Sequence, residues 1–96
     1  MGGVRMTTVW IVAESRFEWY EIKHVCLSKE VAWQKWEGLR SELIADNQEM
    51  VDWCSDNDYD PEPWKQNIIM LQKLNPGDSP ESRCDYPDIK ELTVTE

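Results

Sequence analysis

Basic side chains are scarce in this sequence. Ten Lys and Arg stand against nineteen Asp and Glu, for a formal net charge of -9, so the average surface repels nucleic-acid phosphates and anionic lipid headgroups. Direct nucleic-acid binding and membrane binding are disfavoured on that ground. Glycine is also scarce, and two of the four glycines are the adjacent Gly2 and Gly3 near the start. No glycine-rich loop is therefore present to cradle a phosphate. The one histidine, His24, has Lys23 and Val25 as sequence neighbours, and a catalytic dyad with Cys26 would need both an orienting group and a cleft. The structural reading, a strand residue on a half-exposed sheet face, is favoured, and the chain is read as having no catalytic residues. Hydrophobic runs such as Ile68 to Leu71 are far shorter than the roughly 20 residues that span a bilayer. No basic-then-apolar start resembles a signal peptide. The expected location is the cytoplasm.

CxxC pairs are missing as well. Cys26, Cys54 and Cys84 are widely spaced and odd in number, which fits a reducing compartment better than a disulfide framework. They are read as small core hydrophobes. A zinc site built from them and His24 is the alternative, because His24 and Cys26, two apart on a strand, share a face. Neither a cofactor nor a structural metal is expected.

What the chain does have is enough apolar and aromatic residues, six tryptophans among them, to offset the conformational entropy that keeps polar chains disordered. Its 96 residues suffice for one core. Residues 1–6 are read as a flexible leader, with Met6 an equally good start, and 7–96 as a single α+β domain.

Periodicity supplies the elements. Thr7 to Ala13 reads as a strand with Val9, Ile11 and Ala13 on one face and Trp10 and Val12 on the other; both faces are apolar, so it should be central. After a break at Glu14 to Glu18, Trp19 to Cys26 alternates as a second strand, hairpin-paired to the first. Ser28 offers an N-cap for a long helix from about Lys29 to Cys54, whose stripe is Ala32, Trp36, Leu39, Leu43, Met50 and Cys54. Asp60 as N-cap and Pro61 in the first turn open a second helix carrying Trp64, Ile68, Leu71 and Leu74, which ends at "NPGD". Asp78 to Pro87 has loop composition, and the final "IKELTVTE" alternates as a third strand. The predicted fold is a three-stranded antiparallel sheet with the first strand central and a two-helix hairpin on one face, in the order ββααβ.

The charge is uneven along this plan. Seven carboxylates lie between Asp46 and Glu62 with no Lys or Arg among them, and removing them from the total of -9 leaves -2 for the rest. The predicted tip of the helical hairpin is therefore strongly negative. Asp56, Asp58 and Asp60 match the first alternating oxygen ligands of an EF-hand loop, but Pro61 stands where that loop needs Gly and Asn67 where it needs the closing Glu. Specific calcium binding is disfavoured, with weak nonspecific cation binding more in keeping with the loop. Two readings stay open. In one, the stretch is a solvated turn, with Asp60 and Glu62 near the positive end of the second helix dipole. In the other it is a partner-binding surface, because Trp53, Tyr59 and Trp64 are interleaved with the carboxylates, as at interface hot spots. Trp10 and Trp36 sit where a small core would use them. Trp33 lies off the main stripe, with Glu37, Arg40 and Ile44. The sheet face without helices must hide its apolar residues, and homodimerisation is one way.

"VWIV" at Val9 to Val12, a following strand with Tyr20 and Glu21, Ala32 early in the helix, and the closing Tyr86, Ile89, Glu91 and Val94 together resemble small uncharacterised β-β-α-β proteins of tailed phages and prophages. The resemblance covers the strands and first helix, and the segment from Asp46 to Leu74 is extra to it. It implies a mobile-element context, in which small accessory proteins often inhibit host or rival machinery; several anti-CRISPR proteins are similar in being small, acidic and without enzymatic motifs. The functional expectation is a non-enzymatic inhibitor that blocks a basic surface of a nucleic-acid-handling protein complex. Asp52, Asp56, Asp58, Asp60 and Glu62 would supply the field, and Trp53, Tyr59 and Trp64 the desolvated contact. The alternative is a homo-oligomeric structural or regulatory accessory protein working through the open sheet face or Trp33.

Overall fold

The structure, a computed structural model, describes residues 3, 5–16, 18–80 and 84–95. Its elements are β1 (Met6–Ser15), β2 (Tyr20–Cys26), α1 (Lys29–Asp56), α2 (Glu62–Lys73) and β3 (Tyr86–Thr95). The three strands form one antiparallel sheet in the order β2-β1-β3, so the strand that is apolar on both faces is central. β1 begins at Met6, one residue inside the predicted leader, and Met6 pairs with Thr95. Leader residues 1, 2 and 4 lie outside the described chain. β1 also continues through Glu14 and Ser15, and β3 starts at Tyr86, so Pro87 is a strand residue. Proline is tolerated there because β3 is an edge strand, where a missing N–H breaks no ladder on the solvent side.

Residues directly opposite in an antiparallel pair point to the same face. Register thus places Trp10, Val12, Cys26, His24 and Ile89 on one face and Val9, Ile11, Ala13, Val25, Leu92 and Val94 on the other. A bulge between Val12 and Ala13 shifts the pairing so that Val12 meets His24 and Ala13 meets Ile22. The extra residue, Lys23, switches faces along β2: His24 and Cys26 share the helix side, while Tyr20 and Ile22 join the open side. The strict alternation expected from Tyr20 through Cys26 fails at that bulge.

Ser28 caps α1 as predicted, its backbone extended (φ -124, ψ 133) and its Oγ accepting from the Val31 N–H. Ala32, Trp36, Leu39 and Leu43 of α1 join Val12, Cys26, Leu71 and Leu74 in one buried cluster. Trp36 is fully buried, and its indole N–H donates to the Pro87 carbonyl at 2.9 Å. Arg40 lies over the Trp36 ring and donates to the Leu74 carbonyl, tying the end of α2 to the same place.

At 1.5 Å per residue, the 28 residues of α1 run about 42 Å, and the helix outlasts the sheet. The molecule measures 70 × 23 × 18 Å. Beyond Leu43 the neighbour of α1 is α2, so the buried side of the helix rotates. Val51 is buried in place of the predicted Met50, and Cys54 stays buried outside the main cluster. Asn67 donates to Asn47 at 3.0 Å between the two helices, and Asn47 donates to the Leu43 carbonyl. A half-buried amide pair of this kind fixes helix register, since any slide would leave it unsatisfied.

On the open sheet face, the Tyr20 hydroxyl donates to Asp88 at 2.9 Å, with the Lys90 ammonium over the Tyr20 ring. Burial, and then the bond to the Asp88 carboxylate, push the Tyr20 phenol well above its ordinary range. The fold thus favours the neutral phenol. That contribution is complete below the ordinary value of about 10 and is lost as pH rises toward the folded value. Tyr20→Phe should cost about 1 kcal/mol near neutral pH. The gap to the native protein should narrow in urea unfolding repeated at about pH 11.

Candidate protein-binding site at the end of the helical arm

The turn between the helices is built by local hydrogen bonds. Asn57 caps α1, its N–H donating to the Trp53 and Cys54 carbonyls, while its side-chain amide also donates to Trp53 O at 2.8 Å. Asp58 then takes a left-handed conformation at φ 58, which Asp tolerates better than most residues. This reverses the chain so that the Tyr59 N–H returns to the Cys54 carbonyl at 3.0 Å. Tyr59 is thereby laid on Trp53, with ring centroids 5.2 Å apart and planes 22° from parallel. The stack is not a core element: Trp53 is 50% exposed and Tyr59 62%.

Asp52, Asp56, Asp58, Asp60 and Glu62 flank Trp53 and Tyr59 along the chain and are all exposed. Among the described residues, no salt bridge reaches any of them. The hydrogen bonds they accept come from neutral groups: Asp52 accepts from Gln48, Glu62 from Gln66, and Asp60 from the Glu62 N–H. The cap of α2 sits one residue later than predicted, at Pro61, although Asp60 still satisfies a first-turn N–H. Of the predicted contact residues, Trp64 alone is drawn away from the tip. It is half-buried in an interhelical groove of about 280 Å³ with Leu43, Asn47, Met50 and Asn67.

The metal alternatives do not assemble. Among the described residues, no three His, Cys, Asp or Glu side chains come together as a metal-binding group. Cys26 and Cys54 are buried, and no disulfide links the three cysteines. His24 is exposed in a different concavity, about 500 Å³, between β2 and α1 with Lys23, Lys35 and Glu42. Cys26 shares its sheet face but turns into the core, so the pair offers no accessible nucleophile.

Sequence reasoning missed the charged network at the β1–β2 hairpin end of the sheet. Arg16 binds Glu14 at 2.6 Å, and Lys23 reaches Glu21 and Glu14. The Arg16 guanidinium is pushed up chiefly by its bond to Glu14. Burial pushes the nearby Asp85 carboxyl up. Only the β-bulge brings Lys23 to Glu14, and alternation alone gives no sign of it. These cations are engaged locally, which isolates the carboxylates of the arm further.

No protein-family model, curated protein or solved structure matches the chain. Among the described residues, no helix is long and apolar enough to cross a membrane. The site therefore has to be read from its own chemistry.

If the left-handed turn positions the stack, its backbone should be sensitive to branching. Asp58→Gly should leave stability unchanged or slightly higher, whereas Asp58→Val should lower it by about 1–2 kcal/mol. Thermal unfolding compares the two. Near-ultraviolet circular dichroism of the Trp53–Tyr59 pair should weaken in the Val variant and persist in the Gly variant.

Proposed function

We propose that the protein is a non-enzymatic binding module whose helical arm docks its acidic, aromatic tip on a basic surface of another protein. The observation that supports this most directly is the exposed Trp53–Tyr59 stack in a stretch of exposed carboxylates that, among the described residues, have no salt bridge. Unpaired surface carboxylates concentrated on one projection create a directional field that accelerates encounter with a positively charged partner. The stacked rings are held before binding, so little side-chain entropy is lost when they are covered. Tyrosine and tryptophan are also the residues in which interface energy concentrates.

Basic grooves of the size of such a tip are characteristic of proteins that hold nucleic acid, whose phosphates demand clustered Lys and Arg. Occupying one would block it, so the reading extends to an inhibitor of a nucleic-acid-handling complex. The resemblance of the strands and first helix to small phage proteins favours a mobile-element role of the anti-CRISPR or anti-defence kind.

The test is affinity capture from a bacterial lysate with three baits. These are the native protein, Asp52→Asn/Asp56→Asn/Asp58→Asn, and Trp53→Ala/Tyr59→Ala, none of which removes the bond from the Glu62 N–H to Asp60. A basic partner captured by the native bait should be lost with both variants. Its association rate should fall about tenfold or more with the neutralised tip and with added salt. Capture that survives both variants refutes the assignment.

A further inference from the structure

Both helices pack on one side of the sheet, and no described segment covers the other. There, Ile22 is 55% exposed, Val25 64%, Leu92 45% and Val94 46%. Val9 and Ile11 lie between them on the central strand, opposite Leu92 and Val25 respectively. Monomeric proteins rarely leave so continuous an apolar surface in water. We propose that this face docks a second copy of the chain, as a two-fold, sheet-on-sheet dimer.

Three features point to a second copy. The first is charge. Among the paired positions on this face the charged residues are Asp88 and Lys90, which cancel, whereas most of the net charge of -9 lies between Asp46 and Glu62 on the arm. Two copies can therefore approach through this face with little repulsion, and it offers no net charge to attract a charged partner or an anionic lipid surface. The second is size. Strand rise and spacing give a face of about 30 × 14 Å; with side-chain relief, this reaches the several hundred Å² per partner found in the smaller specific interfaces. The third is layout. The polar group of Tyr20, Asp88 and Lys90 lies at one end of the apolar patch, as a hydrated rim lies beside an interface core. A two-fold axis requires only that one patch be complementary to itself. α1 is on the far side of each sheet, so both acidic tips would stay exposed, and a dimer would present two of them with a gain in avidity. The dimer stands on residues separate from the tip and does not depend on its assignment.

The test is sedimentation equilibrium between about 1 and about 200 µM. It compares the native protein with Val25→Glu on β2 and Leu92→Glu on β3. The native mass should move from one chain toward two. Both variants should raise the dissociation constant about tenfold or more, with unchanged far-ultraviolet circular dichroism. If either glutamate variant fails to fold, Val25→Thr, close in shape and compatible with a strand, should still weaken the dimer several-fold. A native protein that stays monomeric throughout overturns the proposal, as does a dimer that neither variant affects. Dissociation by Leu92→Glu alone would mean pairing along the β3 edge and would also overturn it.

Discussion

A 28-residue helix laid on strands of at most ten residues must leave part of itself without a sheet to bury it. That mismatch governs the rest of the molecule. The first half of α1 is fixed by Trp36, whose rigid ring fills the core and whose indole N–H is satisfied by Pro87 on β3. The second half survives only because α2 returns alongside it, with Val51 and Cys54 buried and Asn47 bound to Asn67. The result is a sheet carrying a two-helix arm, and whatever occupies the turn between the helices is presented at a distance from the sheet.

Charge follows the same division. On the sheet, Glu14, Arg16, Glu21 and Lys23 neutralise one another locally, as do Asp88 and Lys90. On the arm tip, exposed carboxylates share a short stretch of chain with two exposed rings, and among the described residues no salt bridge compensates them. Mutual repulsion there weakens the arm slightly, and the cost is tolerable because exposed charges are well solvated. An acidic tip and a neutral apolar sheet face are two surfaces of different chemistry on one small domain.

The architecture was largely legible in the sequence, since alternation on Val9 to Ala13 and Ile89 to Thr95 survives intact and Ser28 announces the helix by a local cap. What was not legible depends on neighbours that sequence periodicity does not contain. The switch from Met50 to Val51 follows from α1 exchanging the sheet for α2 as its packing partner. The bulge at Lys23 depends on how β2 pairs with β1, and Trp64 leaves the tip because α2 turns it into the interhelical groove. The acidic cluster itself could be read directly. The stacking of Tyr59 on Trp53 could not, because it needs Asp58 in a left-handed conformation that nothing as clear as a glycine signals.

The central claim is that the arm tip is the surface that meets a basic protein. Its most direct test is a residue-resolved binding map by ¹H–¹⁵N NMR, with an arginine-rich peptide titrated into the labelled protein at low and at high salt. The account predicts perturbations centred on Asp52 to Glu62, including the Trp53 indole, that fade as salt screens the carboxylates. Perturbations centred on the sheet, or spread evenly over every acidic residue of the chain, would contradict it.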